Sequence, residues 1–266
     1  MSLNFAGISP HPPIIVPGIG EQEDLKKTAE TIAGMRKLTT VFNEADIDTL
    51  IVISPHGLIY PDRYNICSMQ KLFGTFAEFQ QPNIVVEAEN NLEFVDVLAT
   101  KLEEAKIPFS LFDNDGEFYE LDHGAMVPLS YLKRNQESSF KVVPIAYSNL
   151  NRASHFAFGQ AIRDAAESFP GRIGILASGD LSHQLLQNPD GKKFDLQLVE
   201  DLKNYNVQDI LYYEDEFIEN IGECGLRSII VLLGALDGIE TKCGVLSYEG
   251  PFGVGYLVAN FSLPEK

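Results

Sequence analysis

Tryptophan is absent from the 266 residues, and cysteine occurs only three times. The first absence leaves any aromatic wall to Phe and Tyr. Cys67, Cys224 and Cys243 follow no finger spacing and no paired framework, which excludes a zinc knuckle and a disulfide scaffold. Positive charge is scarce as well: 20 Lys and Arg against 38 Asp and Glu give a formal net charge of -18. Such a balance repels phosphate backbones and anionic lipid, so no nucleic acid and no membrane surface is expected as a partner. No apolar run approaches the roughly 20 residues needed to cross a bilayer, and no basic-then-apolar leader opens the sequence. A reducing cytoplasm is the expected location. Low-complexity linkers are missing too, so residues 1–266 are expected to form a single domain.

What the chain does contain is a phrase used twice, Ile8-Ser9-Pro10-His11 and Ile53-Ser54-Pro55-His56. Each copy closes an apolar run, so each histidine is expected just past the carboxyl end of a β-strand, where open α/β sheets bind their ligands. Proline ends strand pairing by removing an N–H and stiffens the backbone that aims the next side chain. Between the copies, Leu25, Ile32, Met35, Leu38 and Phe42 recur at helical spacing. Strand, helix, strand predicts a right-handed crossover that brings both histidines to one edge.

The alternation continues. Further strands are predicted around Ile66–Met69, Ile84–Val86, Phe109–Phe112, Val142–Ala146 and Ile173–Ala177, with a closing hairpin of Val245–Tyr248 and Gly255–Phe261. Helices are predicted over Leu92–Leu102, Ala125–Leu132, Arg152–Phe169, Phe194–Glu219 and Leu226–Leu236, and Gln184–Gly191 reads as loop. The whole reads as one α/β domain.

Four of the five histidines follow a strand-end loop or open a helix: His11, His56, His123 and His183. His155 falls in a helix expected to lie at the surface. Two imidazoles and one carboxylate form the facial triad of non-haem Fe(II), and two acids compete for the third place. Glu223 opens a buried apolar helix, whereas Glu249 sits at a turn before Gly250-Pro251. The first helical turn fixes a rotamer better than a turn tip, which favours Glu223. Asp180, three residues before His183, is expected either to orient that imidazole or to cap the loop. Arg227, one turn beyond Glu223, has the reach to bind a substrate carboxylate, although a salt bridge to a neighbouring acid is the expected role.

Taken in order, Ser-Pro-His-Pro-Pro, Ser-Pro-His-Gly, Asp-His-Gly, Gly-Asp-Leu-Ser-His and Gly-Glu-Cys-Gly before an apolar helix resemble the class III extradiol ring-cleaving dioxygenases, the LigB-type catalytic subunit. The opening Ser-Pro-His-Pro-Pro-Ile-Ile-Val-Pro and Glu-Cys-Gly-Leu-Arg are similar to the branch associated with AMMECR1-type domains and radical-SAM proteins, and Memo proteins share the fold. The resemblance implies a sandwich with a central mixed, largely parallel sheet covered by helices on both faces. It implies that His11, His56 and Glu223 bind Fe(II), that His183 is the acid/base, and that His123 hydrogen-bonds from outside the metal's ligands. Glu249 remains a pocket-wall candidate. Memo proteins use a cysteine near this helix start; Cys224 in that role would favour zinc or copper. The implied partners are a small aromatic substrate and O2, with a homo-oligomer and an AMMECR1-type or radical-SAM partner as further expectations. A Memo-like accessory role without ring cleavage, and metal-dependent hydrolysis, are the alternatives.

Overall fold

The computed structural model describes residues 3–133 and 140–264. The domain expected over 1–266 therefore includes a few residues outside the described ones. β1 (Leu3–Ser9) runs into the first Ser-Pro-His, α1 (Gln22–Lys27) and α2 (Ala29–Ala45) follow, and β2 (Thr49–Ser54) runs into the second. Next come β3 (Tyr64–Cys67), β4 (Lys71–Phe76), β5 (Gln81–Glu89), α3 (Leu92–Glu104), β6 (Phe109–Phe112) and β7 (Tyr119–Glu120). α4 (His123–Leu132), β8 (Lys141–Ala146), α5 (Arg152–Ser168) and β9 (Ile173–Ser178) complete the middle of the chain. α6 (Pro189–Asn204), α7 (Val207–Leu211), α8 (Asp215–Glu219), α9 (Leu226–Ala235), β10 (Lys242–Glu249) and β11 (Tyr256–Ser262) close it.

Eight strands form one sheet in the order β10-β11-β1-β9-β2-β8-β3-β6. Its centre, β1-β9-β2-β8, is parallel, and antiparallel pairing enters at β1–β11 and β8–β3. The expected mixed, largely parallel sheet between helices is the observed one. Side-chain alternation splits the core into two layers. Ile51 and Ile53 of β2 face α3, α5 and α9, while Leu50 and Val52 face α2, α4 and the small sheet β5-β4-β7.

α9 is buried at nearly every position from Leu226 to Ala235 and packs on α5 at backbone distance. A Cβ at Gly159 would stand 2.1 Å from the Val231 carbonyl oxygen, and one at Gly234 2.1 Å from that of Phe156. No side chain fits between the helices, so the start of α9 is set against the top of the sheet.

Local expectations fail where backbone conformation outweighs periodicity. The helix expected over Phe194–Glu219 is three helices, because Tyr205 turns left-handed (φ 55°) and stops α6. α6 also starts earlier, inside the expected loop: Pro189 takes the first helical position and Asn188 accepts the Asp190 N–H. The Phe-rich segment before Ile84 holds a further strand, β4, which pairs with β5. His155 is not at the surface. It is fully buried, edge-on to Tyr64 and Tyr147, with Nδ1 2.8 Å from the Asn151 carbonyl and Nε2 3.2 Å from that of Ser148.

Burial pushes the His155 imidazole down to about 4, against the pull of those two carbonyls. Its folded value lies below the unfolded 6.5, so the folded state favours the neutral ring and stability falls as pH drops from about 6.5 towards 4. The loss is on the order of 3 kcal/mol. Urea midpoints measured from pH 8 to 4 should fall less steeply for His155→Gln than for the wild type; equal slopes would remove His155 as the cause.

Candidate metal centre

Parallel register builds this site. Ser9 of β1 stands opposite Ser178 of β9, and Ile53 of β2 opposite Ala177, so the loops leave the sheet at one level. Pro10 and Pro55 end the pairing, and the two imidazoles that follow them meet at the sheet edge, His11 buried and His56 exposed. His11 Nε2 and His56 Nε2 come to 3.0 Å. His123, the first residue of α4, stacks on His56 at 4.1 Å and meets His11 edge-on at 5.3 Å. The ligand-capable atoms of these three histidines lie within 4.8 Å of one another. Beside them, Cys224 Sγ is 3.7 Å from His11 Nε2 and 3.6 Å from His183 Nε2.

Each ring is held from behind. Ser178 donates its hydroxyl hydrogen to the Gly124 carbonyl at 2.6 Å, so towards His11 Nδ1, 3.1 Å away, it acts as acceptor. The Nδ1 therefore carries the proton and the Nε2 lone pair faces His56. Asp180 accepts the His11 backbone N–H at 2.9 Å. Asp122 caps α4 through the Ala125 N–H and accepts the Ser54 hydroxyl, which ties the strand end before His56 to the helix that opens with His123.

Burial lowers the basicity of His11 well below the ordinary imidazole value, and His56, His123 and His183 add repulsion. His56 is lowered first by burial and next by His123; burial also lowers His123 and His183. At neutral pH the cluster is a set of uncharged imidazoles, the form in which histidine binds metal. Burial raises the Asp180 carboxyl to about 7. Convergent ring nitrogens with a sulfur alongside suit a transition-metal cation of the iron, copper or zinc type.

Not every expected residue joins the cluster. Glu223 Oε2 accepts the Leu226 N–H at 2.6 Å, so its carboxylate caps α9. It is Cys224, the next residue, whose side chain lies beside His11 and His183. Glu249 accepts the N–H and hydroxyl of Thr31 at 2.6 and 2.5 Å and caps the first turn of α2. Asp180 holds the backbone of His11, where the sequence offered orienting the His183 imidazole or capping the loop. Arg227 belongs to none of the ion pairs among the described residues. Asp122 and Ser178 escaped notice as site residues. Asp122 carries a sequence signal, a capping acid directly before an apolar helix; Ser178 has none beyond its place at a strand end.

The loop geometry depends on a close approach. A Cβ on Gly179 would lie 2.1 Å from Gly225 Cα. The Asp180 carbonyl there accepts the N–H groups of Cys224 and Gly225 at 3.2 and 2.9 Å.

The sequence profile of one family, described as the catalytic LigB subunit of aromatic ring-opening dioxygenase, matches residues 6–259. The chain belongs to this family. Over 267 residues, this LigB chain is 35% identical to a protein of Clostridium acetobutylicum, covering 96% of the chain but only 57% of that relative's length. It is 26% identical over 243 residues to the 3,4-dihydroxyphenylacetate 2,3-dioxygenase of Escherichia coli, covering 81% of the chain and 84% of the enzyme. A MEMO1 family protein of Methanocaldococcus jannaschii is 29% identical over 160 residues, covering 59% and 52% of the two chains. The solved structure of an uncharacterized protein from Escherichia coli K12 superposes with a TM-score of 0.65 at 17% identity, covering 96% of the chain and 99% of the other. Family and fold are those that the ordered motifs implied. No helix among the described residues is long and apolar enough to cross a membrane.

Removing the hydroxyl that fixes the His11 tautomer should weaken metal binding by about 10–100-fold. Competition with a chelator, comparing Ser178→Ala with the wild type, measures this directly; an unchanged affinity would show that Ser178 does not control the ring.

Proposed function

We propose that this LigB chain, read as one domain over 1–266, is a metal-dependent ring-opening oxygenase acting on a catechol-type or aminophenol-type ring with O2. The supporting observation is the convergence of His11 Nε2 and His56 Nε2 at an open sheet edge, with His123 and His183 alongside. In this reading His11 and His56 hold the metal and the Glu223-Cys224 pair supplies the third donor. Iron(II) is the expected metal; a thiolate donor would shift preference to zinc or copper. Bound iron(II) would supply the path for electrons from the aromatic ring to O2.

The protein's own groups handle protons and position. His183, lowered by burial, is a free base at neutral pH and takes the proton of a substrate hydroxyl at Nε2, returning it when the ring opens. His123, packed on His56 and edge-on to Phe79 at 5.6 Å, offers a ring nitrogen to the bound ligand. The same proposal gives Asp180 the task of holding His11 in place.

A second reading rests on Cys224. Its sulfur lies beside the histidines while the Glu223 carboxylate caps α9, and MEMO1 family proteins are among the relatives. This reading makes the chain a Memo-like metal-binding accessory protein of a radical-SAM-linked modification pathway, without ring cleavage.

Anaerobic loading with Fe(II), then oxygen uptake over catechols, protocatechuate and aminophenols, tests the first reading. His183→Ala should keep its metal and lose about 10²–10⁴-fold in uptake, whereas His11→Ala should lose the metal itself. Metal content of Glu223→Gln and Cys224→Ser separates the readings. Uptake on none of these substrates, with zinc or copper lost only in Cys224→Ser, would leave the accessory role.

A further inference from the structure

Asp195 is a fully buried acid in the second turn of α6, between the core residues Phe194 and Leu198. It belongs to none of the ion pairs among the described residues. Both of its oxygens are committed. Oδ1 accepts the Ser182 N–H at 2.8 Å, and Oδ2 accepts the Tyr248 hydroxyl at 2.8 Å. Gly255 makes the room, since a Cβ there would stand 1.9 Å from Oδ2. Burial raises the carboxyl to about 6, and the two hydrogen bonds pull against that rise. A buried acid without a cation is costly, and an apolar side chain would tie α6 to the β10–β11 hairpin at less cost. What calls for an acceptor at this point is the Ser182 N–H, one residue before His183.

His183 depends on such help. Its ring is exposed at the loop, and its polar contact there is Cys224 Sγ, 3.6 Å from Nε2. His11 has the Ser178 hydroxyl at Nδ1 to fix it; among the described residues no carboxylate pairs with the His183 ring. The aim of that ring therefore falls to its backbone. The His183 N–H donates to the Ile221 carbonyl at 3.1 Å, the Gly255 N–H to the Ser182 carbonyl at 2.9 Å and the Gln184 N–H to the Ser182 hydroxyl at 3.1 Å. Ile221 belongs to the lead into α9 and Gly255 to the hairpin, so Asp195 is the tie from α6 that closes the third side of the loop.

We propose that Asp195, seated by Tyr248, is the positioning residue of His183: through the Ser182 N–H it holds the imidazole where it exchanges a proton with the bound ligand. The kinetic part of this assignment rests on the oxygenase reading. The placement of the ring is a property of the metal-free chain and is measured separately.

Oxygen uptake by the Fe(II)-loaded protein with catechol, protocatechuate and 2-aminophenol gives the first test. Asp195→Ala should lower kcat by about 10–100-fold, with KM and metal content unchanged. Asp195→Asn offers an oxygen to the same N–H and its amide to Tyr248, and should recover most of the loss. In a His183→Ala background Asp195→Ala should cost nothing further, because a positioning residue acts only through the group it positions. A purely structural tie would cost the same in both backgrounds. Nuclear Overhauser contacts between the His183 ring and the Cys224 β-protons, recorded on metal-free protein, read the placement without turnover. They should persist in Asp195→Asn and vanish in Asp195→Ala. Asp195→Val, which fills the space without an acceptor, repeats each measurement should the alanine variant unfold. If the wild type consumes no oxygen but the ring contact is lost in Asp195→Ala, the oxygenase reading falls and the positioning role stands. An undiminished kcat in Asp195→Ala, an additive loss in the double variant, or a ring contact that survives Asp195→Ala overturns the assignment.

Discussion

The site depends on a contact between two glycines. Because Gly179 and Gly225 lack side chains, the loop leaving β9 lies flat against the lead into α9. The Asp180 carbonyl can then accept the Cys224 and Gly225 N–H groups, and the Asp180 N–H can point at Cys224 Sγ at 3.3 Å. The same aspartate turns its carboxylate to the backbone of His11. One approach thus fixes the end of a central strand, the entry of a buried helix and the first histidine. α9 can bear the load because its own position is locked against α5 by backbone contact and by burial of its apolar residues, each contributing roughly 1.5–3 kcal/mol.

Much of this was legible in the chain. The repeated Ile-Ser-Pro-His marks two strand ends, and register between parallel strands does the rest, since β9 lies between β1 and β2 and levels both loops. Strand order itself was not legible: nothing local in a run such as Ile173–Ser178 says that it is inserted between the two copies. Directions of neighbouring side chains at a helix entry were hidden for a related reason. Glu223 and Cys224 differ by one residue, and which of them faces the histidines depends on which carboxylate or carbonyl captures the orphan N–H groups of α9. Glu223 takes the Leu226 N–H on one carboxylate oxygen and is not in the group whose ligand-capable atoms gather within 4.8 Å. His155 misled for the opposite reason, since a polar residue on an apparently amphipathic helix found two backbone carbonyls inside the core.

The electrostatics of the centre oppose those of the chain as a whole. A net charge of -18 favours protonated imidazoles everywhere, yet all four clustered histidines are held below the ordinary value. Desolvation is the largest cause in each, and for His11 and His56 repulsion from the neighbouring imidazoles adds to it. The price of keeping them neutral is low only if a cation other than a proton can use the lone pairs, as the Ser178-set tautomer of His11 permits.

The third donor then decides what such a cation could do. A carboxylate from Glu223 would complete a facial set of hard and borderline ligands suited to iron(II), at the cost of uncapping α9, roughly 1 kcal/mol for a lost cap. A thiolate from Cys224 needs no such rearrangement, because the sulfur already stands beside two of the rings. Burial and the nearby Asp180 charge hold that thiol protonated in the metal-free site, so it becomes a ligand only by giving its proton to solvent or to an adjacent imidazole as a cation arrives. The choice between an oxygen and a sulfur donor therefore rests on a balance between one helix cap and one thiol proton, set by two neighbouring residues on a fold that is otherwise the same for both.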